Sequence, residues 1–103
     1  MIFSTSDVDH FYTTSSTLSN DDTPLVLLHG FTGSHKVWIP FTNQISNPWI
    51  ILDLPGHGDS VFKVHAIHYS IKKWCEDFRH FLDSQGLKKI HLLGYSMGGR
   101  MAL

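Results

Sequence analysis

Three short apolar runs, each ended by a glycine or a proline, constrain the fold of this chain more than any other feature. Residues 25–28 read LVLL before His-Gly, residues 49–52 read WIIL before Asp-Leu-Pro-Gly, and residues 90–93 read IHLL before Gly. Continuous apolar runs of this length are typical of strands buried on both faces, as in parallel sheets covered by helices. The sequence therefore predicts three buried parallel strands.

Helical patterns separate and follow these strands. A short helix is predicted over residues 37–45, with Pro40 tolerated in its first turn. Between residues 70 and 86 the apolar positions follow helical spacing, the charges lie on the opposite face, and Gly86 is the expected stop. A last helix begins at Met97. The apolar positions of the second helix, all predicted to be buried, are Ile71, Trp74, Cys75, Phe78, Phe81 and Leu82.

The alternation of strand and helix predicts an α/β fold with a mostly parallel sheet flanked by helices, in one domain over residues 1–103. The first two dozen residues are polar and favour strands, which suggests an antiparallel edge hairpin. A hydrophobic content of 42% and a charged content of 17% fit a folded globular protein. The net charge is -1 and the basic residues are scattered, so nucleic acid is not expected as a partner.

No apolar stretch approaches membrane-spanning length, and the N-terminus lacks the basic start of a secretion signal. We therefore expect no membrane partner and a cytoplasmic location. Cys75 is the single cysteine, which excludes an intrachain disulfide. Eight histidines raise the question of a metal, but His65 and His68 form the one close pair and no acidic residue stands between them. The sequence predicts no metal site, and it does not indicate an oligomeric state.

Residues 92–100, LLGYSMGGR, place Ser96 between Gly94 and Gly98 at the junction of a predicted strand and a predicted helix. A serine in such a strained turn needs nearly side-chain-free neighbours two positions away on each side, where the two backbones converge. The turn would raise the serine hydroxyl above the sheet, beside the positive end of the helix. The pattern thus predicts a catalytic nucleophile; the alternative is a glycine turn with an idle serine.

A second motif, LLHGFTGS, follows the first strand. In this architecture it lays a backbone N–H beside the nucleophile, so the N–H groups of Phe31 and Met97 are expected to converge on one oxyanion. We predict that His29 and Gly30 shape the loop, with the His29 ring holding it by hydrogen bonds in preference to transferring protons. Asp53 and His57 follow the second strand and are likewise assigned to loop structure, as are Gly94 and Gly98.

The blocks LVLLHGFTGS, DLPGHGDS and GYSMGGR, in this order and spacing, resemble the N-terminal half of the α/β-hydrolase-fold family. More narrowly they resemble the 2-succinyl-6-hydroxy-2,4-cyclohexadiene-1-carboxylate synthases of menaquinone biosynthesis. The resemblance covers residues 25–103. It implies that pyruvate is eliminated from a cyclohexene dicarboxylate by a Ser-His-Asp triad that needs no metal or organic cofactor.

On this resemblance Ser96 is the triad serine, Phe31 and Met97 provide the oxyanion N–H groups, and Tyr95 and Arg100 bind a small-molecule dicarboxylate. Independently of the resemblance, Arg100 lies one helical turn after Ser96 on the same face, and a guanidinium matches a carboxylate. The alternative for Arg100 is a solvated surface arginine.

The acid and the histidine of the triad follow the serine in this fold, whereas the sequence stops seven residues after Ser96. The expectation is therefore an N-terminal portion of the fold, truncated just after the nucleophile turn, without cap domain or later strands, and inactive by itself. Two alternatives remain open. One is the same portion of a serine esterase or carbon–carbon bond hydrolase, and the other is a non-catalytic module.

Overall fold

The chain starts with an antiparallel hairpin, in which strands β1 (Ile2–Ser4) and β2 (Val8–Thr14) pair with Ile2 opposite Phe11. The predicted edge hairpin is thus confirmed over residues 2–14. The structure is a computed structural model that describes residues 1–15, 23–63 and 69–103. Residues 16–22, which belong to the segment predicted to favour strands, lie outside these ranges.

The three apolar runs form strands β3 (Leu25–Leu28), β4 (Trp49–Leu52) and, after the two-residue strand β5 (Val61–Phe62), β6 (His91–Gly94). β3 lies between β4 and β6 and is parallel to both. β2 joins the two halves of the sheet, since it pairs antiparallel with β1, β4 and β5. The predicted α/β class with a parallel sheet is therefore confirmed, with the antiparallel strands gathered at one side in the order β1-β2-β4-β3-β6.

The connection from β3 to β4 contains a 3-10 helix, His35–Val37, and the four-residue helix α1, Ile39–Thr42. The helix predicted over residues 37–45 is thus shorter and broken. Pro40 lies in the first turn of α1, as expected, and it has no N–H to continue the hydrogen bonding of the preceding turn. Val37 is exposed rather than buried.

Helix α2, Ile71–Ser84, agrees with its prediction at both ends. The Ser70 hydroxyl accepts a hydrogen bond from the Lys73 N–H at 3.1 Å, which caps the helix N-terminus. Gly86 has a φ of 69° and ends the helix in the left-handed region that favours glycine. Trp74 and Phe81 are the large apolar side chains that α2 buries against the sheet.

The predicted buried face of α2 was partly wrong. Cys75 and Ile71 are exposed. Cys75 follows the buried Trp74 by one residue and therefore lies about 100° further round the helix circumference, away from the buried face. Asp77, predicted on the charged outer face, is buried at 2% exposure. It lies roughly 40–60° from Phe81 and Trp74 on the helix circumference, on the side away from Cys75. Polar partners from the N-terminal hairpin compensate its burial.

The third strand was also predicted incorrectly in two respects, its start and its burial. β6 starts at His91 rather than at residue 90, and its residues alternate between exposed and half-buried, with His91 and Leu93 exposed. β6 pairs with β3 along one side and is the terminal strand of the described sheet. A terminal strand has fewer neighbours to cover it, which explains why its apolar sequence does not make it fully buried.

The main core lies on one face of the sheet, where alternate residues of β3 and β4 meet α2. Helix α3 (Met97–Ala102) packs on the same face through Met97, Met101 and Ala102. Leu27 and Ile51 point to the opposite face and are also fully buried. No helix in the described ranges has both the length and the hydropathy that crossing a membrane requires. The core residues on the first face are Tyr12, Val26, Leu28, Ile50, Leu52, Leu54, Trp74, Phe81 and Leu87.

Candidate active site

The carboxyl ends of the three parallel strands meet at one edge of the sheet. Each strand is followed there by a residue of a predicted site motif: His29 after β3, Asp53 after β4 and Ser96 just after β6. β3 connects to β4 on one side, whereas the chain later crosses back to place β6 on the other side. Ligands of open α/β sheets bind outside strand ends where the connections diverge in this way. The loops after β3 and β6 therefore frame the candidate site.

Ser96 occupies a strained backbone conformation between β6 and α3. Its φ is 54° and its ψ is -111°, a region that residues with a side chain rarely adopt, and it is exposed as the N-cap residue of α3. A Cβ at Gly94 would overlap the backbone of Gly98, and a Cβ at Gly98 would overlap the Leu28 carbonyl. The two glycines are therefore required by close backbone contact.

The loop after β3 lies directly against the serine turn. The Tyr95 N–H donates to the Leu28 carbonyl at 3.0 Å, which extends the pairing of β3 and β6 up to the turn. A Cβ placed on the buried Gly30 would be 3.3 Å from the Ser96 Cβ and 3.1 Å from the Tyr95 ring. The backbone of the His-Gly motif thus lies within contact distance of Ser96. Phe31 is the next residue after Gly30, so its backbone N–H is also near the serine.

A cavity of about 390 Å³ opens above this contact and is lined by Phe31, Ser96, Met97 and Arg100. Within the described ranges, the N–H groups of Phe31 and Met97 donate to no acceptor, and the Ser96 hydroxyl has no hydrogen-bond partner. The Arg100 guanidinium also makes no ion pair with a described residue. The four residues that line this cavity, called the Ser96 cavity below, thus carry two backbone N–H groups, a hydroxyl and a guanidinium for which the described part of the chain provides no partner.

Two aromatic side chains flank the serine at the surface. Phe31 is 69% exposed and Tyr95 is 67% exposed, values that are unusual for rings next to a folded core. The Phe31 ring lies edge-on to His57 with centroids 5.8 Å apart. Tyr95 precedes Ser96 and lies at the rim of the candidate site, but it is not among the residues that line the Ser96 cavity.

His29 is fully buried and uses both ring nitrogens to hold two loops together. The Leu54 N–H donates to its Nε2 at 2.9 Å, so Nδ1 must carry the hydrogen and donates to the Gly30 carbonyl at 2.7 Å. Burial lowers the pKa of His29 below its ordinary value, because the charged ring would lose its water. The neutral ring joins the loop after β3 to the loop after β4.

Asp53 organises the loop after β4. Its buried carboxylate accepts hydrogen bonds from the His35 ring Nδ1 at 2.8 Å, from the His35 N–H at 2.5 Å and from the Asp59 N–H at 2.9 Å. His57 donates from Nδ1 to the Pro55 carbonyl at 3.1 Å within the same loop. The participation of His35 was missed by the sequence reasoning, since the sole available signal was a histidine shortly after the His-Gly motif.

One group of three potential metal ligands occurs among the residues that the structure describes. Atoms of His35, Asp53 and Asp59 lie within 4.8 Å of one another. Both oxygens of Asp53 already accept hydrogen bonds from His35 and from the Asp59 N–H. His65 and His68, considered above as a metal pair, lie outside the described residues.

Comparison with known proteins identifies the family. A family model for the alpha/beta hydrolase fold matches residues 23–103. The chain belongs to the alpha/beta hydrolase fold family. Among curated relatives, the 2-succinyl-6-hydroxy-2,4-cyclohexadiene-1-carboxylate synthase of Enterobacter sp. (strain 638) is 40% identical over 80 residues, covering 77% of this chain and 30% of that protein.

A second curated relative is ethanol acetyltransferase 1 of Wickerhamomyces anomalus, which is 33% identical over 84 residues, covering 78% of this chain and 21% of that protein. The chain thus spans less than a third of the length of these curated relatives. Among solved structures, MGS-M2, an alpha/beta hydrolase enzyme from a Medee basin deep-sea metagenome library, superposes with a TM-score of 0.88. That match covers 99% of this chain and 37% of the other at 24% identity, and it shows the shared fold.

Proposed function

We propose that Ser96 is the triad serine of a pyruvate-eliminating synthase, acting on a cyclohexene dicarboxylate to give 2-succinyl-6-hydroxy-2,4-cyclohexadiene-1-carboxylate. The observation that carries the proposal is the Ser96 cavity, which combines a strained serine, Arg100 and two backbone N–H groups that have no acceptor among the described residues. The relatedness to the Enterobacter synthase supports the assignment of the reaction.

In this mechanism a histidine base removes the proton of the Ser96 hydroxyl, and the serine oxygen takes a proton from the ring of the substrate. The electron pair of that C–H bond forms the new ring double bond as the bond between the ring and the enolpyruvyl oxygen breaks. The enolate that leaves takes up a proton and becomes pyruvate. No described histidine or carboxylate contacts the Ser96 hydroxyl, so the base is assigned to none of these residues. The N–H groups of Phe31 and Met97 would donate hydrogen bonds to a substrate oxygen and stabilise the negative charge that develops on it as the proton leaves. Tyr95 at the rim would contact the substrate.

Arg100 has the role of binding a substrate carboxylate. It follows Ser96 by one helical turn, and its backbone N–H donates to the Ser96 carbonyl at 3.2 Å, which fixes the backbone of Arg100 relative to the serine. A planar guanidinium makes two parallel hydrogen bonds to a carboxylate. Arg100 would therefore hold the dicarboxylate with its reacting carbon above Ser96.

The test compares two substrates in the gene product at its full length. Arg100→Ala should lower kcat/KM on 2-succinyl-5-enolpyruvyl-6-hydroxy-3-cyclohexene-1-carboxylate by about ten- to a hundredfold, since a charge-assisted contact contributes about 1.5–3 kcal/mol. Arg100→Lys should recover part of the loss. p-Nitrophenyl acetate, which has no carboxylate, should lose little. The matched control is Arg79→Ala, because Arg79 is an exposed arginine on α2 and does not line the Ser96 cavity.

Equal loss on both substrates would show that Arg100 organises the serine turn rather than selecting the substrate. No loss on either substrate would return Arg100 to the role of a solvated surface residue. No turnover of the cyclohexene dicarboxylate by the unaltered protein would refute the synthase reaction.

Acyl transfer or ester hydrolysis is the second candidate function, and the acetyltransferase from Wickerhamomyces anomalus is the observation that favours it. The same N–H pair would then stabilise a tetrahedral intermediate on an ester carbonyl. The two functions differ in covalent chemistry, because acyl transfer requires an acyl group on the Ser96 oxygen. Mass spectrometry after rapid mixing with p-nitrophenyl acetate should show an acetyl adduct on Ser96 if acyl transfer is correct.

A further inference from the structure

A second cavity, of about 330 Å³, adjoins the Ser96 cavity between the start of α2 and helix α3. Met97 and Arg100 line both cavities, so the two spaces meet at these side chains. The volume lies within the usual range for small-molecule sites. A molecule that reacts at Ser96 therefore has room to extend past Arg100 toward α2.

Most of the wall of this second cavity is hydrocarbon. The buried Leu54 contributes to it, and Ile71, which is 52% exposed, lies at the N-terminus of α2 where the cavity meets solvent. Burying apolar ligand surface against such a wall is favourable in proportion to the area covered. The apolar lining residues are Leu54, Pro55, Phe62, Ile71, Met97 and Met101.

Three polar side chains on the wall, Tyr69, Ser70 and His57, each make a hydrogen bond within the protein. The Tyr69 hydroxyl donates to the Asp77 carboxylate at 2.9 Å, and the Ser70 hydroxyl accepts from the Lys73 N–H. His57 uses Nδ1 to donate to the Pro55 carbonyl. Arg100 is the lining side chain that carries a permanent charge and makes no ion pair with a described residue. The cavity thus offers apolar walls with one cation at its junction with the serine.

We infer that this second cavity binds the part of a substrate's hydrocarbon body, the far side of a ring or a short chain, that extends past Arg100 while the carboxylate lies on Arg100. The assignment rests on the proposed function for the role of Arg100 at the serine. It goes further by naming an amphipathic carboxylate as the ligand class and the space between α2 and α3 as its subsite. A small dicarboxylate without a hydrocarbon body would leave this space unfilled.

The test measures binding without turnover, in the full-length protein, by calorimetry and by NMR of ¹³C-methyl methionine. Cyclohexanecarboxylate should bind at least about tenfold more tightly than acetate, because the ring adds several methylenes and each buried methylene contributes up to about fourfold. Cyclohexanol should bind more weakly than cyclohexanecarboxylate, because it lacks the charge. The Met97 and Met101 methyl resonances, assigned through Met→Leu variants, should shift on binding.

Ile71→Trp should weaken cyclohexanecarboxylate binding about tenfold by filling the mouth of the cavity, while acetate binding stays unchanged. The matched control is Lys72→Trp, which adds the same ring at the next exposed position outside the lining. Equal affinity for acetate and cyclohexanecarboxylate, or unshifted Met101 in the presence of the ring, would overturn the inference. Thermal unfolding of both tryptophan variants verifies that they are folded.

Failure of this inference and failure of the proposed function are distinguishable. Ser96→Ala should abolish turnover and leave cyclohexanecarboxylate binding unchanged, because the serine hydroxyl lies outside the second cavity. Tight ring binding in a protein that does not eliminate pyruvate would retain the subsite and reject the reaction. Normal elimination without preference for the ring would retain the reaction and reject the subsite.

Discussion

Two polar regions of this chain treat their hydrogen-bonding groups in opposite ways. The first is the Asp77 cluster, defined as Asp77, His10, Tyr69 and Thr5. The other three members all make hydrogen bonds to the Asp77 carboxylate, at 3.0 Å from His10 and 2.9 Å from Tyr69. Asp77 and His10 are buried. Around Ser96, by contrast, the serine is exposed, and the N–H groups of Phe31 and Met97 have no acceptor within the described ranges.

The difference separates groups that stabilise the fold from groups available to a ligand. Burial first, and then the hydrogen bond to Asp77, raises the pKa of Tyr69 far above its usual range, so the phenol remains a donor at every physiological pH. The Asp77 cluster thereby ties α2 to the N-terminal hairpin. The Ser96 turn carries backbone strain and unpaired donors, which lower stability and are typical of functional sites.

The largest expected effect tests the Ser96 side of this comparison. Ser96→Ala should reduce kcat on the cyclohexene dicarboxylate by at least about a thousandfold in the full-length protein, because the triad loses its serine. The free energy of unfolding should change by less than about 0.5 kcal/mol, since the hydroxyl is exposed and unpaired. Steady-state kinetics and urea unfolding measure the two quantities. A large loss of stability would place Ser96 among the structural residues.

The next effect tests the Asp77 side. Asp77→Ala should lower the free energy of unfolding by about 3–5 kcal/mol, because His10 and Tyr69 would lose their common buried acceptor. The matched control is Asp83→Ala, which removes an exposed carboxylate from the same helix and should cost less than about 0.5 kcal/mol. Similar unfolding midpoints for the two variants would contradict the structural role of the cluster.

A smaller effect concerns the strain at Ser96. Ser96→Gly should raise the free energy of unfolding by about 1 kcal/mol while removing activity, because glycine adopts a φ of 54° without steric cost. Ser46→Gly is the control, since Ser46 is exposed in a loop and does not have a positive φ. Urea unfolding compares the two. A destabilised Ser96→Gly would mean that the turn is not strained.

The smallest effect is a pH dependence from His29. Because burial lowers its folded-state pKa below 6.5, the unfolded chain binds a proton more readily, and stability should fall as the pH drops below 6.5 until the folded-state pKa is passed. His29→Asn should reduce this pH slope. Thermal unfolding between pH 7.5 and roughly pH 5 measures the slope in each protein. An unchanged slope in the variant would assign the dependence to other groups.

Much of the fold could be predicted from local signals. The apolar runs at Leu25 and Trp49 have the length and the terminators of buried strands, and Ser70 and Gly86 mark the ends of α2. The exposure of Cys75 and the burial of Asp77 could not be predicted, because the apolar residues of α2 form a stripe about 120° wide that includes Cys75 and excludes Asp77. The face that the fold buries is shifted from this stripe toward Asp77. The face of α2 that is buried depends on the hydrogen bonds that His10 and Tyr69 make to Asp77. His10 is distant in sequence, and Tyr69 lies just before the helix.

The candidate site divides in the same way. Gly94 and Gly98 belong to a pattern that requires backbone contact, and the overlap of their hypothetical Cβ atoms with backbone supplies the physical reason. The partnership of His35 with Asp53 depends on two loops meeting in space, so spacing along the chain contains no signal for it. The roles assigned to Ser96, Phe31, Met97, Tyr95 and Arg100 stay predictions until the experiments above are done.

The central position of β3 has a consequence for the order of folding. Leu25 pairs with Trp49 on one side and with His91 on the other, so the first pairing closes a much shorter loop than the second. Closing longer loops costs more chain entropy, and such contacts form later. We therefore expect the strained serine turn to be assembled after the β3–β4 pair is in place. Folding kinetics should then be insensitive to substitutions at Ser96, and the energetic cost of that turn should appear in the unfolding rate.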